Sequence, residues 1–577
     1  MDKQKIDNKA SLIWSIADKL QGDYKPHEYG DVILPFTVLK RFDSVLANTK
    51  DKVLKVASEY PVITPPIDKL LKSVSKQEIY NVSKYNFKNL LDEPDDIKRN
   101  FKTYIAGFSD NVKDILSKEH GFEFDRQIDK LDNAGLLYLI ISEFNTEKAD
   151  LHPDKISDIE MGYIFEEVIR KFSETYQADA GEFYTPREII DLMVNLLLNN
   201  EELSENNKVI QIYDGACGTG GMLSIAYERI KQLNNTNEVF TSGQEINPQT
   251  YAICKSDMLL KGGKNASIRF GSTLSNDQFP DDQFDYIIMN PPFGREWKKD
   301  KDEVEKEYKR GFAGRFGAGL PAISDSQMLF LQNAISKMKP TGSKIAIIHN
   351  GSPLFAGDAE SGPSEIRKYV IENDLLEAII QLPNNIFYNT GITTYIWLLS
   401  NKKSKERQGK IQLINANEMF TKRRKSLGEK KNDISKSQIS QITKLYDDFK
   451  PTENSKILEN DDFKYFKVTV ETPLKDDKGK LVLDKKGNKQ ANKNLRDFEI
   501  IPAKEDFENY MQKNLYPYNP DAYIDTSKTK VGYEIPFVKL FYKYIPPKSS
   551  KEIFNEIKQL EKEESLLIKE LFGNDKL

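Results

Sequence analysis

Asp285-Tyr286-Ile287-Ile288-Met289-Asn290-Pro291-Pro292-Phe293 is the stretch whose reading decides the fold. Its apolar part, 286–289, reads as a buried strand, and the prolines that follow end it because they fix φ and remove ladder donors. Upstream, Asp214-Gly215-Ala216-Cys217-Gly218-Thr219-Gly220-Gly221 follows a second strand-like run, 209–213, and leads into a helical stretch. Two strand ends of this kind in one sheet place a cofactor and a substrate side by side.

Working outward, β-type runs at 209–213, 239–244, 286–289, 344–349, 376–381 and 394–399 alternate with helical stretches. That alternation predicts an α/β, Rossmann-like, mainly parallel sheet covered by helices over 155–415. Residues 1–150 read as an all-helical N-terminal domain, with Leu12, Ile13, Ile16, Ala17 and Leu20 on one face and similar spacing at 32–42 and 136–144. Residues 416–577 form a C-terminal region. In it, alternation at Phe466, Val468 and Val470, then Asp477-Lys478-Gly479 and 481–483, predicts a charged hairpin projecting from the body. After Pro546-Pro547, Ser549 and Glu552 form a capping-box pattern opening a last helix. Ile553, Ile557, Leu560, Leu567 and Leu571 lie on a seam-like stripe of that helix, which suits a partner or its own domain equally.

With 577 residues the chain exceeds one ordinary core. No apolar run approaches the roughly 20 residues needed to cross a bilayer, and Met1-Asp2-Lys3-Gln4-Lys5 has no signal-peptide core, so a cytoplasmic location is expected. Two cysteines, Cys217 and Cys254, and four scattered histidines make neither a disulfide framework nor a metal cluster. The net charge of −5 and pI near 5.8 are unusual for a protein that grips nucleic acid alone, which points to a helping partner. Positive charge concentrates instead at 402–431, in a stretch with few core residues that reads equally as a solvated linker face or a phosphate-contacting patch.

The turn 214–221 lets glycines take positive φ and a ligand approach the backbone, with the helix after Gly221 aiming amide donors at it. The same grammar serves dinucleotides and S-adenosylmethionine. Glu245, after the next strand, is placed to accept hydrogen bonds from ribose hydroxyls. At 290–293 the chemistry suits an exocyclic amine, a poor nucleophile whose lone pair is delocalised into its ring. The Asn290 side-chain oxygen and the Pro291 carbonyl accept the two amino protons, Pro292 adds rigidity, and Phe293 offers a face for stacking. Reaching such an amine in a duplex requires base flipping. Glu182-Phe183-Tyr184-Thr185-Pro186-Arg187, just ahead of a helical run, supplies aromatic and hydroxyl groups to close over the cofactor.

In this order the elements resemble the modification (methyltransferase) subunit of type I restriction-modification systems, a family of DNA N6-adenine methyltransferases. The resemblance extends to 12–42, to Leu382-Pro383 with Phe387-Tyr388-Asn389-Thr390-Gly391-Ile392, and to Gly532-Tyr533-Glu534-Ile535-Pro536-Phe537. It implies that Glu182, Phe183, Tyr184, Thr185, Pro186 and Arg187, together with Asp214, Gly218, Thr219, Gly220, Gly221 and Glu245, bind S-adenosylmethionine. It further implies that 290–293 hold the target adenine of double-stranded DNA. A specificity subunit, commonly bound by two modification subunits, reads the DNA sequence, and a restriction subunit completes the nuclease. Gly215 stands where such proteins often carry proline, and Gly271-Ser272-Thr273-Leu274 lacks the acidic residue often found there, leaving Thr273 as a candidate contact to the cofactor's adenine. A stand-alone adenine methyltransferase, or a silent assembly subunit with a relic cofactor fold, are the competing readings.

Overall fold

Strand β1 (Val209–Asp214) is the hinge of the architecture, because it pairs in parallel with β2 (Glu238–Glu245) on one side and with β4 (Tyr286–Met289) on the other. The computed structural model describes the chain except for residues 1–2, 61, 158–159, 166, 169–170, 172–184, 199–205, 262–264, 484–486, 488, 545–546 and 573–577. With β3 (Ala266–Phe270), β5 (Lys344–Asn350), β6 (Leu376–Gln381), β7 (Thr394–Ser400), β8 (Lys410–Asn415) and β11 (Ser455–Glu459), these strands form one nine-stranded sheet. Its order is β11-β8-β6-β7-β5-β4-β1-β2-β3. All neighbours are parallel except β7, which runs against β5 and β6, and β11, which runs against β8. The reversal of strand order at β1 and β4 opens a crevice at their carboxyl ends.

The strands carry the uninterrupted apolar character of a sheet covered on both faces: β7 is buried along its whole length and β4 likewise. Helices Arg187–Leu198, Gly221–Leu233 and Pro248–Lys261 cover the part of the sheet that bears the crevice.

Eight helices between Lys3 and Phe144 make the amino-terminal part. Their core is aromatic: Phe36 stacks on Phe101 and Phe144 at 5.5 and 5.6 Å and meets Phe124 edge-on at 5.2 Å. Each such ring buried contributes roughly 1.5–3 kcal/mol. That core runs on into Ala252 and Ile253 of helix Pro248–Lys261. Asp114 adds a polar link, accepting from Tyr251 Oη at 2.9 Å and pairing with Lys255 at 2.5 Å.

Two expectations change. Strand β12 (Lys464–Glu471) does not pair with 481–483. It is the centre of a three-stranded antiparallel sheet with β13 (Asp497–Pro502) and β14 (Tyr523–Tyr533), closed over Val468, Val470, Ile501, Met511 and Ala522. A short hairpin does form farther on, where Lys475 bridges Leu481 and the Asp476 carboxylate accepts from the Lys478 and Lys480 amides. The basic stretch 402–431 is not a linker: β8 is a buried strand, and β9 (Thr421–Leu427) with β10 (Lys430–Asp433) forms an antiparallel ribbon. Lys403, Arg407 and Lys430 are buried in ion pairs with Asp374, Glu377 and Glu188.

The chain divides into two units, Met1–Ile535 and Pro536–Leu577. In the second, the Ser549 and Glu552 capping box forms, with Glu552 N donating to Ser549 Oγ at 3.3 Å and Ser549 N to the Glu552 carboxylate at 2.8 Å. Helix Ser550–Phe572 follows, and Ile553, Ile557, Leu560 and Leu567 are exposed on it. Among the described residues no helix is long and apolar enough to cross a membrane.

Candidate active site

The crevice at the ends of β1 and β4 receives half of the site residues singled out from sequence. Asp214, Gly218, Thr219, Gly221, Glu245, Thr185, Asn290 and Pro292 line one cleft. Glu182, Phe183 and Tyr184 lie outside the described residues.

The glycine turn is built for close approach. Gly218 and Gly220 have φ of 53° and 85°, the left-handed region that glycine occupies without a Cβ penalty. Gly220 is buried behind the cleft surface, where a Cβ would come within 2.8 Å of Cys254 Sγ. Gly215, where proline was noted as the commoner residue, is wedged between strand ends: a Cβ would lie 2.8 Å from Tyr213 Oη and 3.1 Å from Met289 Cε. Glycine is therefore the residue this turn accommodates. Thr273, carried as a possible adenine contact, lines the cleft but spends its hydroxyl on the Gly215 carbonyl.

Glu245 braces the turn rather than standing open. Its Oε2 accepts from Gly218 N at 2.8 Å, and its Oε1 from Ile246 N and Asn247 N at 2.9 and 2.7 Å. Asp214 is buried, with one oxygen accepting from Ala216 N at 2.9 Å. Burial raises its carboxyl to about 8, and the neighbouring Glu245 charge adds to the rise. Asp300 was not anticipated. Its Oδ1 accepts from Ser272 Oγ at 2.7 Å and from the Ser275 hydroxyl, which places a carboxylate in the cleft at the end of β3, where the sequence carries none. Nothing in the charged stretch around Lys298-Lys299-Asp300 signals this, because the contact is made across a loop.

At the β4 end, Asn290 Nδ2 donates to Thr185 Oγ1 at 2.7 Å. Asn290 Oδ1 is buried and accepts no hydrogen bond among the described residues. A buried carbonyl oxygen left without a donor costs about 1–3 kcal/mol, so it marks a place where a ligand's N–H belongs. Pro291 is buried and Pro292 borders the cleft. Phe293 departs from expectation. It is buried in the sheet core and meets Phe387 edge-on at 6.2 Å, so it presents no open face and instead ties the 382–392 loop to the Asn-Pro-Pro-Phe turn. Arg187 also departs: it stacks on Tyr163 at 3.3 Å and lines a separate small cleft shared with Thr219 and Gly221. Pro186 caps the helix backbone, its carbonyl accepting from Ile189 N and Ile190 N.

Cys217 borders the cleft with its Sγ 3.7 Å from Cys254 Sγ. The contact with Cys254 and burial hold the Cys217 thiol well above its ordinary range, so it stays protonated and non-nucleophilic. Among the described residues no cluster of His, Cys, Asp or Glu could hold a metal ion.

Residues 156–478 match the family described as N-6 DNA Methylase, and residues 9–144 match the HsdM N-terminal domain. The chain belongs to the N-6 DNA methylase family, a family of methyltransferases. It is similar to the type I restriction enzyme MjaIX methylase subunit of Methanocaldococcus jannaschii, 27% identical over 77% of each chain. It is also similar to the MpnII methylase subunit of Mycoplasma pneumoniae, 23% identical over 87% of this chain and 93% of that one. The fold matches the type I restriction-modification methyltransferase subunit from Streptococcus thermophilus with a TM-score of 0.62 at 22% identity, over 79% of this chain and 97% of the other. Within the family, the chain falls with the modification subunits of type I restriction-modification systems.

Proposed function

We propose that the chain transfers a methyl group from S-adenosylmethionine to the N6 amine of adenine in double-stranded DNA. The observation that carries this reading is Asn290 Oδ1, buried beside the cofactor cleft without a donor while Thr185 holds the other end of the amide. An acceptor held in that way suits the N–H of an aromatic amine.

The residues of the cleft fit the cofactor. Glu245 and Asp300 place two carboxylates around a glycine cradle, and Asp214 adds a carboxyl that ionises against a cation, which favours a cationic sulfonium nucleoside over the pyrophosphate of a dinucleotide. When bound, S-adenosylmethionine supplies a methyl group on positively charged sulfur, which leaves as a neutral thioether. Gly218, Thr219 and Gly221 allow close backbone approach, and Glu245 shares its carboxylate between the turn and the ribose hydroxyls. Asp300, which lines the same cleft, would accept from the cofactor's adenine in place of the missing carboxylate at 271–274.

Asn290 Oδ1 and the Pro291 carbonyl accept hydrogen bonds from the two N6 hydrogens, draw the lone pair onto nitrogen and stabilise the positive charge that grows there during attack; the methylated nitrogen then releases one proton to water. The prolines hold these acceptors still, so little reorganisation accompanies the reaction. Transfer is direct, with no covalent enzyme intermediate, in keeping with the protonated state of Cys217.

As for the division of labour, residues 1–150 form the helical domain, and the catalytic domain starts at 155 and runs past the expected limit of 415, because β11 (Ser455–Glu459) is an edge strand of its sheet; the rest of 416–577 meets partners. A specificity subunit selects the DNA sequence, two modification subunits bind it, and a restriction subunit joins in the nuclease. The acidic chain, at net −5, is consistent with recognition lodged elsewhere. The test is transfer of labelled methyl groups to duplex DNA by the chain co-purified with its specificity subunit. Transfer that persists at the wild-type rate in Asn290→Ala contradicts the assignment.

A further inference from the structure

The ribbon β9–β10 carries all six cations of 421–433, and they split into two groups. Arg423 and Lys430 are structural. Arg423 pairs with Asp433 at 2.6 Å, and Lys430, 1% exposed, pairs with Glu188 and with Asp433 at 3.0 Å while donating to the Ile386 carbonyl at 3.1 Å. Lys422, Arg424, Lys425 and Lys431 are exposed, and none of their head groups meets a carboxylate among the described residues. Asp433 being consumed, Glu429 is the one acidic residue of 421–433 left to offset these four.

The ribbon is not free to swing. Lys431 N and Glu429 N donate to the Asn385 and Tyr388 carbonyls at 2.9 and 2.8 Å, and Asn432 Nδ2 to the Asn384 carbonyl at 2.8 Å. At its turn, Gly428 has φ of 58° and approaches so closely that a Cβ would sit 2.5 Å from the Tyr388 oxygen. The loop it grips carries Phe387, the partner of Phe293, and Lys430 reaches helix Arg187–Leu198, whose start follows Thr185. Buried cation, loop and helix thus fix a ribbon with four exposed cations to the loop whose Phe387 packs on Phe293, on a chain that is net acidic.

We infer that the exposed face of β9–β10, through Lys422, Arg424, Lys425 and Lys431, binds the phosphate backbone of duplex DNA next to the extruded base. This deepens the proposed reaction and rests on it for the place of the base. A flipped nucleotide leaves its flanking phosphates strained and close to the active site, and sequence-independent cations there hold the backbone while the base is out. An acidic protein surface is the rival occupant.

The test uses the full chain in complex with its specificity subunit, a random-sequence duplex as probe, and the slope of log affinity against log salt. Replacing all four residues by glutamine lowers the magnitude of that slope by about 3 to 4, since each phosphate contact contributes about 0.9. S-adenosylhomocysteine binding, unaltered, certifies the fold. If the quadruple variant does not fold, Lys422→Gln and Arg424→Gln singly each lower the slope by about 0.9. A wild-type slope in the folded variants overturns the inference, and a wild-type slope with lost subunit assembly assigns the face to a protein instead. Failure of the methylation reading is seen separately, as a wild-type complex that leaves adenine unmodified whatever the slope does.

Discussion

Thr185 and Asn290, 105 residues apart in sequence, are joined by a 2.7 Å hydrogen bond from Asn290 Nδ2 to Thr185 Oγ1. Because the amide nitrogen is committed, the amide oxygen is the atom left for substrate. Thr185→Val keeps the volume and removes the acceptor, freeing the amide to rotate. Single-turnover methylation should slow by about 10- to 100-fold, equivalent to about 1.4 to 2.7 kcal/mol of barrier. Thr185→Ser should recover most of the rate. Equal rates for valine and wild type would remove Thr185 from the account.

Asp214 gives a pH dependence of defined sign. Burial raises its carboxyl in the folded chain to about 8, against an ordinary value of 3.8, so the folded state holds a proton that the unfolded state has lost. The resulting stability is fully present below about pH 4 and is lost as pH rises through about 8, amounting to no more than about 6 kcal/mol. Denaturant titrations of the cofactor-free protein at pH 5.5 and 8 should show this decline, and Asp214→Asn should flatten it. A cationic cofactor reverses the preference. At pH 7 its binding should release a proton from wild type that Asp214→Asn does not release, as read by calorimetry in buffers of differing ionisation enthalpy.

His349 acts in the opposite sense. It is buried on β5, edge-on to Trp397 at 5.4 Å, with no partner for either ring nitrogen among the described residues, and burial lowers it from 6.5 to about 3. Its contribution is present above pH 6.5 and is lost as pH falls toward 3. His349→Phe should therefore lower the pH midpoint of acid unfolding, while an unchanged midpoint would show that other groups govern it.

At Gly220 two penalties coincide, a φ of 85° and a Cβ position 2.8 Å from Cys254 Sγ. Gly220→Ala should cost at least about 1–2 kcal/mol of stability from the backbone alone and weaken S-adenosylhomocysteine binding. Adding Cys254→Ala relieves the steric part only. Thermal unfolding of the single and double variants should show partial recovery, and complete recovery would mean that the left-handed backbone carries no penalty here.

Local signals made much of this legible in sequence. The runs that became β1 and β4 are short, apolar and ended by glycine or proline, so both the sheet and the meeting of the 214–221 turn with Asn290 could be anticipated. What escaped was set by contacts between distant segments. Asp300 reaches the end of β3 across a loop, and Lys403, Arg407 and Lys430 look like surface charge until their carboxylate partners are brought in by folding. Phe293 has the composition of a stacking platform, yet Phe387 from another loop covers it. The Glu245 carboxylate, read as a ribose acceptor, is also a strut for Gly218, a role that only backbone geometry reveals.

The central claim, that Asn290 holds an adenine amine for methylation, is tested most directly by mapping modified bases in DNA from cells expressing the chain with its specificity subunit. The account predicts N6-methyladenine at one recurring sequence with wild type, and none with Asn290→Ala, although that variant still binds S-adenosylhomocysteine and assembles. Adenine modification undiminished in Asn290→Ala, or modification on a base other than adenine, would contradict it.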